Sequence, residues 1–170
     1  MTEAAVTAVK EATRQRAGKY LTFVLGDEEY GLEILKVREI IGLMDITAVP
    51  STPEFVRGVV NLRGKVIPVV DLRLKFGMAS AEATEETCII VVDVDTVEMG
   101  IVVDKVSEVL DIVENDIEDA PSFGVSVDTN FILGMGKADG NVKILLDISK
   151  VLSSEEIGDV RTMARDGEEE

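Results

Sequence analysis

The sequence predicts a mainly β protein assembled from two copies of one unit of about five short strands. Three observations carry that expectation. Hydrophobic residues fill 46% of the 170 positions, and Val, Ile and Leu are abundant among them, which favours pleated and buried surfaces. Apolar and polar residues alternate in short runs bounded by Gly, Pro, Asn and Asp. The third observation is that the pattern recurs.

Moving the first half along by 69 residues sets Phe23 on Val92, Leu25 on Val94, Gly31 on Gly100, Lys36 on Lys105, Val37 on Val106, Glu39 on Glu108 and Ile41 on Leu110. A shift of 76 residues sets Gly58 on Gly134, Gly64 on Gly140, Val66 on Val142, Val69 on Leu145, Val70 on Leu146, Asp71 on Asp147 and Leu72 on Ile148. The difference is absorbed around Pro121 to Asn130. One unit is too small to bury a core comfortably, so the copies are expected to pack together and leave a groove between them.

In chain order, residues up to Ala17 read as a frayed tail with weak helical spacing at Val6, Val9 and Thr13. Leu21, Phe23 and Leu25 belong to a first strand, and Tyr30 to Ile34 return after Gly26-Asp27-Glu28-Glu29. Ile34, Val37 and Ile41 stand at helical spacing, yet Lys36 to Ile40 also fits a strand, and both readings stay open. Ser51-Thr52-Pro53-Glu54 fits a capping box, so a short helix is expected there, ended by Gly58.

Strands at Val59–Leu62 and Val66–Leu72 flank Arg63-Gly64, and Pro68 implies an unpaired face or a bulge in the second of them. Leu72 to Phe76 fits a short helix ended by Gly77, and Met78 to Glu86 a polar linker. Strands then follow around Ile90–Val94 and Met99–Val103, turning at Asp95-Thr96. Phe131–Gly134 and Val142–Asp147 form a hairpin whose Asp139-Gly140 suits a primed turn. Ser153-Ser154-Glu155-Glu156 opens a C-terminal helix with an apolar stripe at Leu152, Ile157, Val160 and Met163 or Ala164, before an acidic end.

The net charge of −16, from 17 basic and 33 acidic residues, disfavours nucleic acid and anionic membrane surfaces and favours protein partners. No apolar run approaches the ~20 residues of a spanning helix. A soluble cytoplasmic protein is expected. Histidine is absent, which removes the commonest general base and metal ligand. Cys88 is the single cysteine and sits beside Ile89-Ile90-Val91-Val92, so it reads as a strand residue rather than a reactive thiol.

The repeat separates scaffold from function. Glycines, aliphatics and the pair Asp71 and Asp147 are retained in both copies, as turns, packing and end-of-strand caps require. Arg63 is not retained, because Asp139 stands at its place in the second copy. Arg63 is either an ordinary exposed turn residue or a fixed cation near Glu39, held at a hairpin tip for a partner. Val37 and Val109 are either core or groove lining.

Gly-Asp-Glu-Glu-Tyr-Gly at 26–31, Ile34-Leu-Lys-Val-Arg-Glu-Ile40, Val56-Arg-Gly-Val-Val-Asn-Leu-Arg-Gly-Lys-Val-Ile-Pro-Val-Val-Asp-Leu-Arg73 and Gly100-Ile-Val-Val-Asp-Lys-Val-Ser-Glu-Val-Leu110 together resemble the CheW family of bacterial chemotaxis adaptors. The resemblance spans about residues 19 to 155. It implies two intertwined SH3-like five-stranded β-barrel subdomains with short helices and a C-terminal helix, preceded by a tail over 1–18 and followed by 156–170. It also implies a non-enzymatic adaptor without cofactor or metal, coupling the cytoplasmic tips of methyl-accepting chemoreceptors to the regulatory domain of the CheA histidine kinase. By position, the receptor-facing groove falls on Val37, Glu39, Arg63 and Val109. Kinase coupling falls on Gly58, with Met44 and Ile46 as the apolar edge offered to the kinase regulatory domain.

Other classes give distinguishable expectations. An enzyme would have to use carboxylate pairs such as Asp71 with Asp147 or Asp93 with Asp104, without a His, Cys or phosphate loop beside them. A small-ligand barrel requires a closed apolar cavity of about 300 Å³ or more. A coupling module fused to a kinase or receiver domain would need chain beyond the two repeats.

Overall fold

The computed structural model describes residues 16–94, 96–121, 130–152 and 156. Eleven strands occur among them: β1 (Gly18–Leu25), β2 (Glu28–Glu33), β3 (Val37–Gly42), β4 (Val56–Leu62), β5 (Lys65–Asp71), β6 (Cys88–Val94), β7 (Val97–Val103), β8 (Lys105–Ile112), β9 (Ile117–Glu118), β10 (Ile132–Ala138) and β11 (Asn141–Leu146). Two four-residue helices follow β5 and β11, α1 (Leu72–Lys75) and α2 (Ile148–Val151). Single 3-10 turns occupy Ile34–Lys36 and Glu114–Asp116.

The ambiguity after Ile34 resolves as one tight turn followed by a strand. The repeat maps element for element: β4, β5 and α1 recur as β10, β11 and α2 at the 76-residue shift. Even the irregularity between Val56 and Gly58 recurs between Ile132 and Gly134. Asp71 accepts hydrogen bonds from the backbone N–H groups of Arg73 and Leu74, and Asp147 from that of Ser149. Both carboxylates cap a first turn that would otherwise leave its donors unpaired.

The sheets do not coincide with the copies. One runs β8-β1-β2-β11-β10-β9 and the other β3-β6-β7-β5-β4. The first joins β1 and β2 of one copy to β8 through β11 of the other, and the second joins β6 and β7 to β3 through β5. The chain crosses over at Ile34–Lys36, and again at Asp104. Two parallel seams, β5 with β7 and β11 with β2, are equivalent under the repeat: Val69 lies opposite Gly100, and Leu145 opposite Gly31.

The principal core lies between the sheets, where Leu21, Phe23 and Leu32 meet Val70, Leu72, Ile90, Val92, Ile101 and Leu146. Strand alternation sends Val69, Ile89, Val91 and Val102 to a second cluster with Val60 and Ile67. Tyr20, Ile112, Ile117 and Leu145 form a third. Burial on both faces is why β5 to β7 read as nearly continuous aliphatic runs. Pro68 lies just before the β5–β7 pairing begins at Val69, at the end of the ladder where a missing N–H costs least.

The helix expected from Ser51 does not form. Ser51 has φ of 63°, outside the extended conformation of an N-cap, and Thr52 Oγ1 donates back to the Val49 carbonyl. The chain turns and enters β4 at Val56. The strand β9 was not anticipated. Its counterpart in the first copy is a single bridge between Thr47 and Val59. The tail up to residue 15, most of the loop 121–130, Asp95 and the C-terminal helix beyond Leu152, apart from Glu156, lie outside the described residues.

Candidate functional site: a charged hairpin tip and its surroundings

The β4–β5 turn is dictated by its two central residues. Arg63 and Gly64 both have positive φ, 54° and 84°, and Asp139 and Gly140 repeat this at the β10–β11 turn with 52° and 78°. These are primed turns, whose twist matches that of the strands they join. Asn61 Oδ1 accepts from the Gly64 N–H at 2.8 Å and fastens the first tip. The two tips share a backbone and differ in charge.

β3 and β4 are the two ends of their sheet, yet Arg63 reaches Glu39 on β3. The guanidinium donates to both carboxylate oxygens of Glu39, through Nη2 to Oε1 and through Nη1 to Oε2 at 3.3 Å. With the Thr47–Val59 bridge, this contact draws the two edges together and curls the sheet toward closure. Arg63 keeps 70% of its side chain exposed and Glu39 31%, so the cation points outward while the carboxylate holds it from below.

Hydrogen bonds from Arg63 hold the Glu39 carboxyl below its ordinary value of 4.5, and the same bonds raise the Arg63 guanidinium. The pair is therefore ionised at neutral pH and loses its charge complement only as pH falls through the depressed value of Glu39. Beside it, Arg38 donates to Asp93 at 2.9 Å and lies 3.4 Å from Glu98, which also takes Lys65 at 3.0 Å. A strip of alternating charge thus borders the tip.

Val37 lies on β3 opposite Val92, half-buried against the principal core. Val109 lies on the other sheet, on edge strand β8 opposite Leu21, and is 50% exposed. The structure thus joins Glu39 and Arg63 by direct contact, sets Val37 two residues away on the same strand, and puts Val109 on the companion sheet. Ile40, the repeat counterpart of Val109, is similarly exposed on β3. Sequence reasoning missed Ile40, although an apolar residue at an outward position of an edge strand is a usable signal.

Gly58 has φ of 140°, and a Cβ placed on it would stand 2.0 Å from the Thr47 carbonyl oxygen. Met44 and Ile46 are half-buried and pack against the cluster of Val60, Ile67 and Val69. Leu43, just before them, is exposed.

The carboxylates considered for catalysis have structural partners. Asp71 and Asp147 cap helices, and Asp71 also takes Arg57 at 3.0 Å. Asp93 holds Arg38. Asp104 accepts from Arg73 Nε at 2.8 Å, from Arg73 Nη2 at 2.6 Å and from the Gly26 N–H at 2.8 Å. Those bonds depress its pKa below the ordinary 3.8. Among the described residues, no group of three or more His, Cys, Asp or Glu converges as a metal site. Hollows of about 300 Å³ near Tyr20 and Leu35, and about 320 Å³ near Tyr30, Phe76 and Phe131, are open to solvent rather than closed cavities.

Asp104 ties the second crossover to both the β1–β2 turn and α1. Asp104→Asn is expected to cost about 2 kcal/mol, since a half-buried guanidinium loses its anion. Thermal unfolding at pH 7 checks this. The deficit should shrink as pH falls through the native pKa of Asp104, because stability from a depressed carboxylate is present above its ordinary value and lost below its folded one. Burial raises the Cys88 thiol above its ordinary 9.0, so alkylation at neutral pH is expected to be much slower than for a free thiol. Timed thiol labelling measures it.

No helix among the described residues is long and apolar enough to cross a membrane. The model of the CheW-like domain matches residues 19–156. The chain is 42% identical over 159 residues to chemotaxis protein CheW of Klebsiella aerogenes, covering 94% of this chain and 96% of that one. To chemotaxis protein CheW of Rhizobium meliloti it is 37% identical over 136 residues, 80% of this chain and 88% of the other. The crystal structure of the scaffolding protein TtCheW from Thermoanaerobacter tengcongensis superposes with a TM-score of 0.75 at 37% identity, covering 82% of this chain and 95% of that one. The chain belongs to the CheW-like family, and it is a non-enzymatic scaffold of chemotaxis signalling with two β subdomains.

Proposed function

We propose that this scaffold couples the cytoplasmic tips of chemoreceptors to the regulatory domain of the CheA histidine kinase, working in the cytoplasm at membrane-receptor arrays. The observation that carries the reading is the Arg63–Glu39 pair. A guanidinium is presented at a hairpin tip with its orientation fixed by a carboxylate, where the duplicated tip carries Asp139. A partner with a carboxylate or backbone carbonyls at that height gains a charge-assisted bond without first ordering a long side chain. Val37 and Val109 supply apolar surface for the ridge of a receptor helical hairpin.

The kinase contact is assigned to the edge around Gly58, Met44 and Ile46. Gly58 keeps the Thr47 segment close to β4, and that segment leads from Met44 and Ile46. The functional unit is taken as residues 19–155. The chain performs no chemistry. It changes kinase activity by holding partners in one geometry or another, to the extent that it binds those geometries unequally.

The test is co-sedimentation of the purified protein with receptor cytoplasmic fragments and kinase. The expected result is that kinase enters the receptor pellet only when this protein is present. Kinase recovery independent of this protein would overturn the reading.

A further inference from the structure

Among the described residues, all four seams between neighbouring sheet strands of different copies join residues before Gly77 to residues after Thr87. β1 pairs with β8 from Gly18 opposite Ile112 to Val24 opposite Lys105, β2 pairs with β11, β3 with β6, and β5 with β7. Ion pairs cross the same boundary: Arg73 with Asp104, Arg38 with Asp93, Lys65 with Glu98, and Lys143 with Glu29 at 2.6 Å. Lys143 is buried there, so this last contact belongs to the interior of the boundary. Against this, the covalent link is slight. Ala79 to Glu86 contains neither helix nor strand, only a turn at Glu85-Glu86, and every residue of it is exposed.

The two halves are therefore complementary surfaces of one interface. Neither half owns a complete sheet. Which copy of the complementary half closes each sheet is decided by the tether and not by the contacts, because a half from another chain offers identical strands.

We propose that this half-to-half interface is an exchange surface for a second copy of the chain. Residues before the Ala79–Glu86 link of one chain close with residues after it from another, and the reverse, giving a dimer of two native-like lobes joined by two links. Within one chain the short link gives each half an effective concentration of its partner on the order of millimolar, so the closed monomer prevails in dilute solution. The exchanged dimer gains ground when chains refold at comparable concentration.

The experiment uses the full chain with a site-specific protease sequence replacing Ala81–Glu85, prepared in two versions with different affinity tags. Cutting the folded monomer is expected to leave one monomer-sized particle with native circular dichroism. The two tagged versions are unfolded together in guanidinium and refolded at rising concentration, and a dimer is expected to grow with concentration. Cutting that dimer should yield monomer-sized particles in which the N-terminal half carries one tag and the C-terminal half the other. Three results would overturn the proposal: halves that separate on cutting the monomer, absence of dimer at every concentration, or a dimer that stays dimeric after cutting, as an ordinary surface dimer would.

Discussion

Gly58→Ala is expected to lower the melting temperature by about 10 °C, the largest effect of a Gly→Ala change among the described residues. The new Cβ would stand 2.0 Å from the Thr47 carbonyl oxygen and 2.7 Å from its carbon, and φ of 140° is a conformation that alanine avoids. Overpacking against backbone costs roughly 1–3 kcal/mol and the strained dihedral a similar amount. At roughly 2–4 °C per kcal/mol for a chain of this length, the two together give the stated shift. Thermal unfolding followed by circular dichroism measures it, and an unchanged transition would show that the Thr47 segment can swing away freely. Gly134→Ala is the internal comparison. There the added Cβ meets Ile117 Cγ2 at 2.7 Å and the Glu118 carbonyl oxygen at 2.9 Å without a positive φ, so a smaller loss is expected. On the kinase contact proposed above, any reduced association of a Gly58 variant is expected to trace to a displaced segment rather than to a lost contact.

Arg63→Glu is expected to weaken receptor association about 30-fold, roughly 2 kcal/mol, while leaving the melting temperature within about 2 °C. The substitution removes the outward cation and sets a second carboxylate against Glu39. The affinity loss is large because the partner's acceptor then meets like charge. The stability loss is small because the ion pair is solvent-exposed and such pairs contribute little. Titration of receptor fragments against the variant gives the first number and calorimetry the second. A charge exchange, Arg63→Glu with Glu39→Arg, restores the intramolecular pair but moves the cation to the inner position. Binding should stay weak. Full recovery by the exchange would mean that the pair serves only to close the sheet and does not touch the receptor.

The repeat was the most informative part of the sequence because it reports backbone requirements twice. Asp71 and Asp147 were legible as caps because a carboxylate at a strand end followed by an apolar turn has few other uses, and both cap a helix. Asp139-Gly140 was legible because a primed turn demands positive φ at both positions. Ser51-Thr52-Pro53-Glu54 misled because a capping box is not sufficient for a helix. Helix formation also needs several following residues free to wind, and Val56 onward is claimed by pairing with β5. The choice of strand partners was illegible in the local pattern, since Val69 opposite Gly100 and Leu145 opposite Gly31 satisfy it as well as pairing within each copy would, and intertwining was implied only by the family resemblance. At the site, the contact of Arg63 with Glu39 matches one of the two readings that the sequence leaves open. Its cause, a sheet curled so that its first and last strands meet, depends on the Thr47–Val59 bridge, which no local pattern announces.

The exchange of strands between copies also sets the timetable on the ribosome. Gly18 cannot find Ile112 until more than half of the chain has emerged, and β2 waits longer for β11, the last of the described strands. Such distant pairings belong to slow, high-contact-order folding, and they leave the edges of β1 and β2 uncovered during synthesis. The nascent chain must therefore be kept from aggregating through most of its translation, and a stop codon anywhere before Leu146 yields a product with an unfilled seam rather than a shorter folded protein.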